Sequence, residues 1–214
     1  MNNVWDNAEY VESIRKEWGD GGQVGGHHWA YLRAVAELVR TKQVLDAGCG
    51  MGHLLPILRE LIPDIDYRGF DKSPHMIRLA KEFFPEDSPR FSEGDIFDMQ
   101  KFLDCSTVLC LNVLIHQRDI VTPLRQLWLT TADELIITLK LSGKEGGEFL
   151  ELDRNIGYTE KLPLRWEDKT YIYSMLGSLG NVASVEEFYF DERLSMFRVT
   201  RGVKKYGGYK VGWK

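Results

Sequence analysis

The segment "VLDAGCGMGHLLPILREL" at residues 44–61 places three glycines between a short apolar run and a stretch with helical spacing. A glycine turn at such a junction lets the backbone approach a ligand closely and points helix N–H groups at it. Several cofactors are held by turns of this kind, and some such turns are only structural. The turn therefore favours a nucleotide-like cofactor without naming it.

The spacing of the glycines and a preceding acid narrow the choice of cofactor. Dinucleotide folds use G-x-G-x-x-G, with the pyrophosphate at the helix N-terminus. Here the spacing is G-x-G-x-G, and His53 stands where that pattern has its last glycine. Asp46 lies two residues before Gly48, and its carboxylate would repel a pyrophosphate. The segment predicts a cofactor that carries an amine and counts against a nucleotide-dependent oxidoreductase.

From about residue 42 onward the chain alternates strand-like and helix-like runs. The strand candidates are "QVLDA", "IDYRGFD", "PRFSEGD", "STVLCLN" and "DELIITLKLS". Ser73 as an N-cap and Pro74 at the first helical position mark the start of one intervening helix. The pattern predicts an α/β fold with a doubly wound, mostly parallel seven-stranded sheet and helices on both faces. Two strands at about 182–190 and 194–201 are predicted to form an antiparallel C-terminal hairpin.

The chain divides into a central domain with appendages. Residues 1–41 are predicted to form an N-terminal helical lid, with a mobile five-glycine loop at 19–28 and a second helix from about 29 to 40. Residues 42–202 are predicted to form the α/β domain, with an insertion at 143–168 that is irregular over 143–166 and followed by a helix near 169–179. Residues 203–214 form a basic tail, interpreted as solvated.

Composition excludes several classes of protein. The chain is 43% hydrophobic and 28% charged, and no apolar run approaches the roughly 20 residues that span a bilayer. Its start lacks the pattern of a signal peptide, so a soluble, cytoplasmic protein is expected. The net charge of −5 argues against a nucleic-acid partner. The three cysteines suggest no disulfide framework, and no metal site is predicted.

"DAGCGMG" at residues 46–52 resembles the first motif of the class I S-adenosylmethionine-dependent methyltransferases. The resemblance continues over residues 38–141, with Asp71 at the end of the second strand and Asp95 after the third. It implies a Rossmann-like fold and S-adenosylmethionine as the cofactor.

The resemblance also implies roles for individual residues. Asp71 would accept from both ribose hydroxyls, and Asp95 from the adenine amino group. The backbone N–H of Ile96 would reach the ring, and the carbonyl of Asn112 would hold the methionine amine. The other residues assigned to the cofactor are Asp46, Gly48, Cys49, Gly50 and Gly52 in the turn, and Lys72 and Met76 beside the adenine.

The N-terminal lid and the insertion at 143–168 are expected to enclose the methyl acceptor, and two histidines are candidate residues on this acceptor side. A base is needed only where the methyl acceptor must lose a proton. His116 follows Asn112 by four residues and is a candidate base, or it lines or caps the following helix. His28 on the lid could orient an acceptor, or it could be solvated.

A small-molecule oxygen or nitrogen acceptor is expected, because no "NPPY" sequence, covalent-cysteine pattern or metal cluster is present. RNA or protein methylation, or a non-catalytic cofactor-binding subunit, are the alternatives. The sequence leaves the oligomeric state open.

Overall fold

The computed structural model describes residues 4–21, 26–102, 104–142, 148–155, 159–189 and 194–202. The helices are α1 Ala8–Trp18, α2 Gly26–Leu38, α3 Leu54–Leu61, α4 Pro74–Phe83, α5 Val121–Thr130 and α6 Lys169–Gly177. The strands are β1 Gln43–Ala47, β2 Asp66–Asp71, β3 Phe91–Glu93, β4 Cys105–Cys110, β5 Thr131–Ser142, β6 Glu148–Asn155, β7 Thr159–Asp168, β8 Val182–Tyr189 and β9 Leu194–Arg201. Short 3₁₀ helices at Val4–Asp6, Pro85–Arg90 and Leu114–His116 complete the described elements.

The centre of the sheet has the order β3-β2-β1-β4-β5, with every neighbouring pair parallel. β9 then pairs antiparallel with β5, and β8 pairs antiparallel with β9. These strands confirm the predicted α/β class, the parallel centre and the antiparallel C-terminal pair. Since parallel strands end at one edge, the loops after β1, β2, β3 and β4 meet there.

Two further strands occupy the insertion that was predicted to be irregular over residues 143–166. β6 and β7 form an antiparallel pair, and β7 lies parallel to the last three residues of β5, so the described residues form a nine-stranded sheet. Pro163 conceals this strand in the sequence, because proline cannot donate to a sheet ladder. β7 tolerates it because pairing with β5 begins only at Trp166.

Helices cover both faces because buried residues alternate along the central strands. Leu45, Val108 and Leu135 pack on one face with residues of α5 and α6. On the other face Val44, Leu109 and Ile136 pack with α2 and α3. Each strand is therefore apolar on both sides, as expected for a parallel sheet buried between helix layers.

The first 3₁₀ helix and α1 pack over the edge where the strand-end loops meet, whereas α2 packs on a face of the sheet. Val4, Tyr10, Val11 and Ile14 form a buried cluster with Met51, Met76 and Leu79. α2 begins at Gly26 rather than at the predicted residue 29. Residues 22–25 of the predicted mobile loop and the tail 203–214 lie outside the described residues, and the domain boundaries stay predictions. No helix in the described ranges has the length and apolar character needed to cross a bilayer.

A buried carboxylate joins three strands and the end of α2. Glu134 on β5 is 2% exposed, and its oxygens accept from the Arg198 guanidinium on β9 at 2.7 Å and from Thr107 Oγ1 on β4 at 2.8 Å. The backbone N–H of Arg40 donates to the same carboxylate at 2.9 Å. The charge of Glu134 is thus satisfied inside the sheet, and Arg198 is the cation that balances it.

Replacing Arg198 with Met should lower the free energy of unfolding by about 3 kcal/mol, because it leaves a buried carboxylate without its cation. Urea unfolding measures this change. Arg78→Met is the matched control, since Arg78 and Glu82 form an exposed pair on α4 that should contribute less than about 0.5 kcal/mol. Equal losses in the two variants would contradict the argument.

Candidate functional site

The turn after β1 has a left-handed backbone that requires glycine. Gly48, Gly50 and Gly52 have φ angles of 87°, 54° and 79°. A Cβ on Gly48 would lie 2.2 Å from Val113 Cγ2, and one on Gly52 would lie 2.8 Å from the Phe91 ring. A Cβ on Gly50 would meet nothing within 4 Å. Gly48 and Gly52 therefore let the turn pack closely on its neighbours, while Gly50 faces open space.

Asp71 at the end of β2 holds this turn in place. Its carboxylate accepts from Gly50 N at 2.9 Å and from Ser73 N at 2.8 Å. Burial raises the pKa of Asp71, although these backbone hydrogen bonds act in the opposite direction. A carboxylate has more acceptor positions than these two bonds use, so Asp71 can still accept from a ligand.

Asp46 at the end of β1 is 3% exposed and accepts from Tyr67 Oη at 2.8 Å. Burial raises its pKa to about 7, and the hydrogen bond from Tyr67 opposes this shift. No basic side chain balances its charge among the described residues. A cation that enters beside Asp46 would favour its ionised form.

A cavity of about 580 Å³ lies at the edge where the strands end. The predicted residues that line it are His28, Asp46, Gly48, Cys49, Gly50, Asp71, Lys72, Met76, Asp95, Ile96, Asn112 and His116. Gly52 does not line the cavity, and its role is the close approach to Phe91. The structure thus brings together residues that are up to 88 positions apart, from His28 to His116.

Lys72 and Asp95 contact each other across the cavity wall. Lys72 Nζ lies 2.9 Å from Asp95 Oδ2, and Phe97 N donates to Asp95 Oδ1 at 3.1 Å. Burial of Asp95 opposes ionisation, but these two contacts outweigh it and lower the pKa. Asp95 is therefore a charged hydrogen-bond acceptor, at the end of the site that β2 and β3 form.

Asn112 follows β4 in the left-handed region, with φ at 57°. Its N–H donates to Thr138 Oγ1 at 2.6 Å, and Thr138 donates to Asn112 Oδ1 at 3.3 Å. Tyr31 Oη on α2 approaches the same threonine at 3.5 Å. Thr138 therefore fixes the end of β4 against β5.

The N-terminal segment is fastened to the site at two points. Ser73 Oγ donates to the Trp5 carbonyl at 2.6 Å, and His53 Nε2 lies 3.0 Å from the Gly19 carbonyl. Burial lowers the pKa of His53. Trp18 stacks on His28, with ring centroids 4.0 Å apart. Trp5, Met51 and His53 line the cavity without having been predicted to do so, because their contacts come from distant segments.

The opposite wall holds His116. Its Nδ1 lies 2.7 Å from the Pro163 carbonyl on β7, and its ring centroid is 5.1 Å from that of Trp5. A carbonyl only accepts, so Nδ1 must carry the hydrogen. In the neutral ring Nε2 is then the basic nitrogen. His28 lies 3.7 Å from Glu17 on α1. In the described part of the chain, no three metal-ligating side chains cluster as they would around a metal ion.

Comparison with known proteins places this geometry in context. A sequence model of the family described as "Methyltransferase domain" matches residues 38–178, which is more than half of the chain. The magnesium protoporphyrin IX methyltransferase (ChlM) from Synechocystis PCC 6803, solved with bound SAM, is 20% identical, with 93% of this chain and 94% of that chain covered and a TM-score of 0.65. The sugar N-methyltransferase KedS8 from a Streptoalloteichus species is 18% identical, with 90% and 92% covered and a TM-score of 0.65. At these identities the two structures show a shared fold.

The buried carboxyl of Asp46 should make the ligand-free protein less stable as the pH rises. The unfolded carboxyl releases its proton near its ordinary pKa of 3.8, whereas the folded one does so at about 7. Stability is therefore lost between these values, and the total is about 4 kcal/mol. Asp46→Asn should be more stable than the parent protein at pH 8 by up to that amount.

Urea unfolding of the ligand-free proteins from pH 4 to pH 8 measures this difference, which should vanish near pH 4. Asp98→Asn, at an exposed position, is the control and should change stability little at any pH. An Asp46→Asn protein that is less stable than the parent at pH 8 would contradict the argument.

Proposed function

The chain belongs to the methyltransferase-domain family and is an S-adenosylmethionine-dependent methyltransferase of class I fold, and we propose that it methylates an oxygen or nitrogen of a small molecule. The observation that carries the proposal is the covered cavity at the strand ends. Its volume of about 580 Å³ is within the range of small-molecule sites and is shared by a cofactor and an acceptor. An RNA or protein acceptor would have to insert a base or a side chain into this cavity past the N-terminal segment that lines it.

The acids and the glycine turn fit the cofactor. The open space at Gly50 lets a ligand approach the backbone, and Asp71 beside it has acceptor positions left for ribose hydroxyls. Asp46 supplies a buried carboxylate suited to the cofactor's ammonium group, and Asp95 suits a donor on the adenine. S-adenosylmethionine, when bound, supplies a methyl group on a positively charged sulfur. The protein's part is to hold the acceptor near that methyl group and away from water.

The covering segments exclude water from the acceptor side. Trp5 and Tyr10 line the cavity from the N-terminal segment, and Leu162 and Pro163 line it from β7. The backbone of the N-terminal segment is fastened by Ser73 at one end and by His53 at the other. We assign these elements the role of a cover that closes over a small acceptor. His28, held between Trp18 and Glu17, would then orient the acceptor.

His116 is suited to accept a proton from the acceptor. Its Nδ1–H donates to the Pro163 carbonyl, so Nε2 is the nitrogen that can accept a proton. The Trp5 ring beside it holds the imidazole plane in place. Such a base is required for a hydroxyl or a protonated amine, and less so for a neutral amine.

The acceptor class is tested by fractionating an extract of the producing cells by ultrafiltration. The filtrate, which contains small molecules, and the retentate, which contains RNA and protein, are each incubated with enzyme and methyl-labelled S-adenosylmethionine. Label should appear in the filtrate. Label only in RNA or protein would overturn the proposal, and cofactor binding with no transfer to either fraction would favour a non-catalytic subunit.

His116→Ala should lower kcat by at least about 100-fold on a hydroxyl acceptor, because it removes the base, and leave the Kd for S-adenosylmethionine unchanged. Steady-state kinetics and calorimetry measure the two quantities. His75→Ala is the matched control, since His75 lies on α4 and does not line the cavity. A decrease in kcat of less than about threefold in His116→Ala would leave His116 as a residue that only lines the wall.

A further inference from the structure

Lys140 lies near the end of β5, is half-buried, and lines the cavity. Side chains two apart on a strand point to the same face, so Lys140 and Thr138 share a face of the sheet. Thr138 is the residue that fixes Asn112, at the point where the cofactor site meets the acceptor side. Lys140 therefore lies on the same face of the sheet, two residues farther along β5 than Thr138.

The strand register separates Lys140 from the acids assigned to the cofactor. Asp46 is in register with Leu109, and Leu109 with Ile136. Lys140 lies four residues beyond Ile136, which is about 13 Å along the strand at roughly 3.3 Å per residue. It also lies two strands away from β1. This position belongs to the acceptor side of the cavity, next to β9 and β7, where Lys140 is in register with Leu194 and Trp166.

Lys140 differs from most other half-buried basic residues of the described ranges, because it forms no ion pair with an acidic side chain. Those that form ion pairs with carboxylates are Arg15, Arg33, Arg59, Arg90, Arg165 and Arg198. Arg201 stacks on Trp128, with its guanidinium 4.3 Å from the ring centroid. Among the described residues, no carboxylate lies within ion-pair distance of Lys140.

The surroundings of Lys140 favour an anion from outside the protein. Tyr31, Leu162 and Leu194 line the same cavity and offer little polar surface. A partly desolvated ammonium group gains stability from an opposite charge, and the described carboxylates that line this cavity form no ion pair with Lys140. An incoming carboxylate or phosphate would meet that need.

We propose that Lys140 forms an anion-binding subsite and that the methyl acceptor carries a carboxylate or a phosphate group. This inference rests on the proposed small-molecule function. The acceptor then places its anionic group at Lys140, its apolar body against Tyr31 and Leu162, and its reacting atom toward His116. Lys140 is a specificity residue, because it selects charged acceptors over neutral ones of the same shape.

The first experiment uses defined probes on protein saturated with S-adenosylhomocysteine. Benzoate, phenyl phosphate and the neutral isostere benzamide are titrated by calorimetry. At least one of the two anions should bind at least 10-fold more tightly than benzamide, and the stronger of them identifies the preferred oxyanion. Lys140→Met should abolish the preference, and Lys140→Arg should retain it.

Lys42→Met is the matched control and should leave the preference intact, because Lys42 is exposed beside Asp64 at the start of β1. Equal affinity for anions and benzamide in the parent protein would overturn the subsite. A preference that survives in Lys140→Met would overturn it as well. Failure of both anions to bind at millimolar concentration also counts against it.

The second experiment divides the small-molecule filtrate on an anion-exchange resin. Methylation should occur in the retained, anionic fraction, and Lys140→Met should lower kcat/KM on that fraction at least 10-fold. The Kd of Lys140→Met for S-adenosylmethionine should stay within twofold of the parent value. A larger loss of cofactor affinity would assign Lys140 to the cofactor's own carboxylate and overturn the inference.

The fractions also separate this inference from the proposed function. Methylation confined to the fraction that passes through the resin would overturn the anionic acceptor and leave small-molecule methylation standing. Methylation in neither fraction would overturn the small-molecule function, and this inference with it.

Discussion

The site depends on the hydrogen bonds that the carboxylate of Asp71 accepts. This carboxylate accepts from the backbone of Gly50 and of Ser73, so the end of β2 fixes both the turn after β1 and the start of α4. Gly48 lets Val113 pack against the turn, which adds the loop after β4 to the same unit. These loops therefore keep a common geometry, and a cofactor that crosses them meets preformed contacts.

The same arrangement has a cost in the absence of ligand. Asp46 and Asp71 are carboxyls whose pKa values burial raises, and neither forms an ion pair with a basic side chain among the described residues. A bound cation or a set of hydroxyl donors supplies the partners that these two carboxyls lack, so ligand binding should also stabilise the fold. The site is thus less stable when empty than a site with paired charges would be, which is a common consequence of preparing a site for a ligand.

The N-terminal segment is coupled to α4 through Ser73 and through side-chain packing. Ser73 caps α4 by accepting from Met76 N, and its hydroxyl donates to the Trp5 carbonyl. Met76 packs in the cluster formed with Tyr10 and Ile14. A shift of α4 on ligand binding would therefore move the N-terminal segment as well. Because Trp5 also packs against His116, α4 and the cavity wall that holds His116 are mechanically connected.

Local patterns in the sequence determined much of the fold and the position of the site. Alternating strand and helix periods predicted the parallel centre, and the acid and glycine spacing predicted the strand-end residues that line the cavity. These features depend on residues close together in the chain, so a sequence displays them directly.

Only the tertiary structure decided the features that depend on distant contacts. The β6–β7 pair was hidden by Pro163, and the pairing of Lys72 with Asp95 joins separate loops. The attachment of His53 to Gly19 and the position of Lys140 in the cavity likewise arise when segments far apart in sequence meet. Whether a charged side chain forms an ion pair depends on tertiary packing. The spacing of residues along the chain does not encode that packing. The sequence by itself therefore determined which strand-end residues line the cavity, because they lie in local motifs, and the fold decided which distant side chains complete its walls.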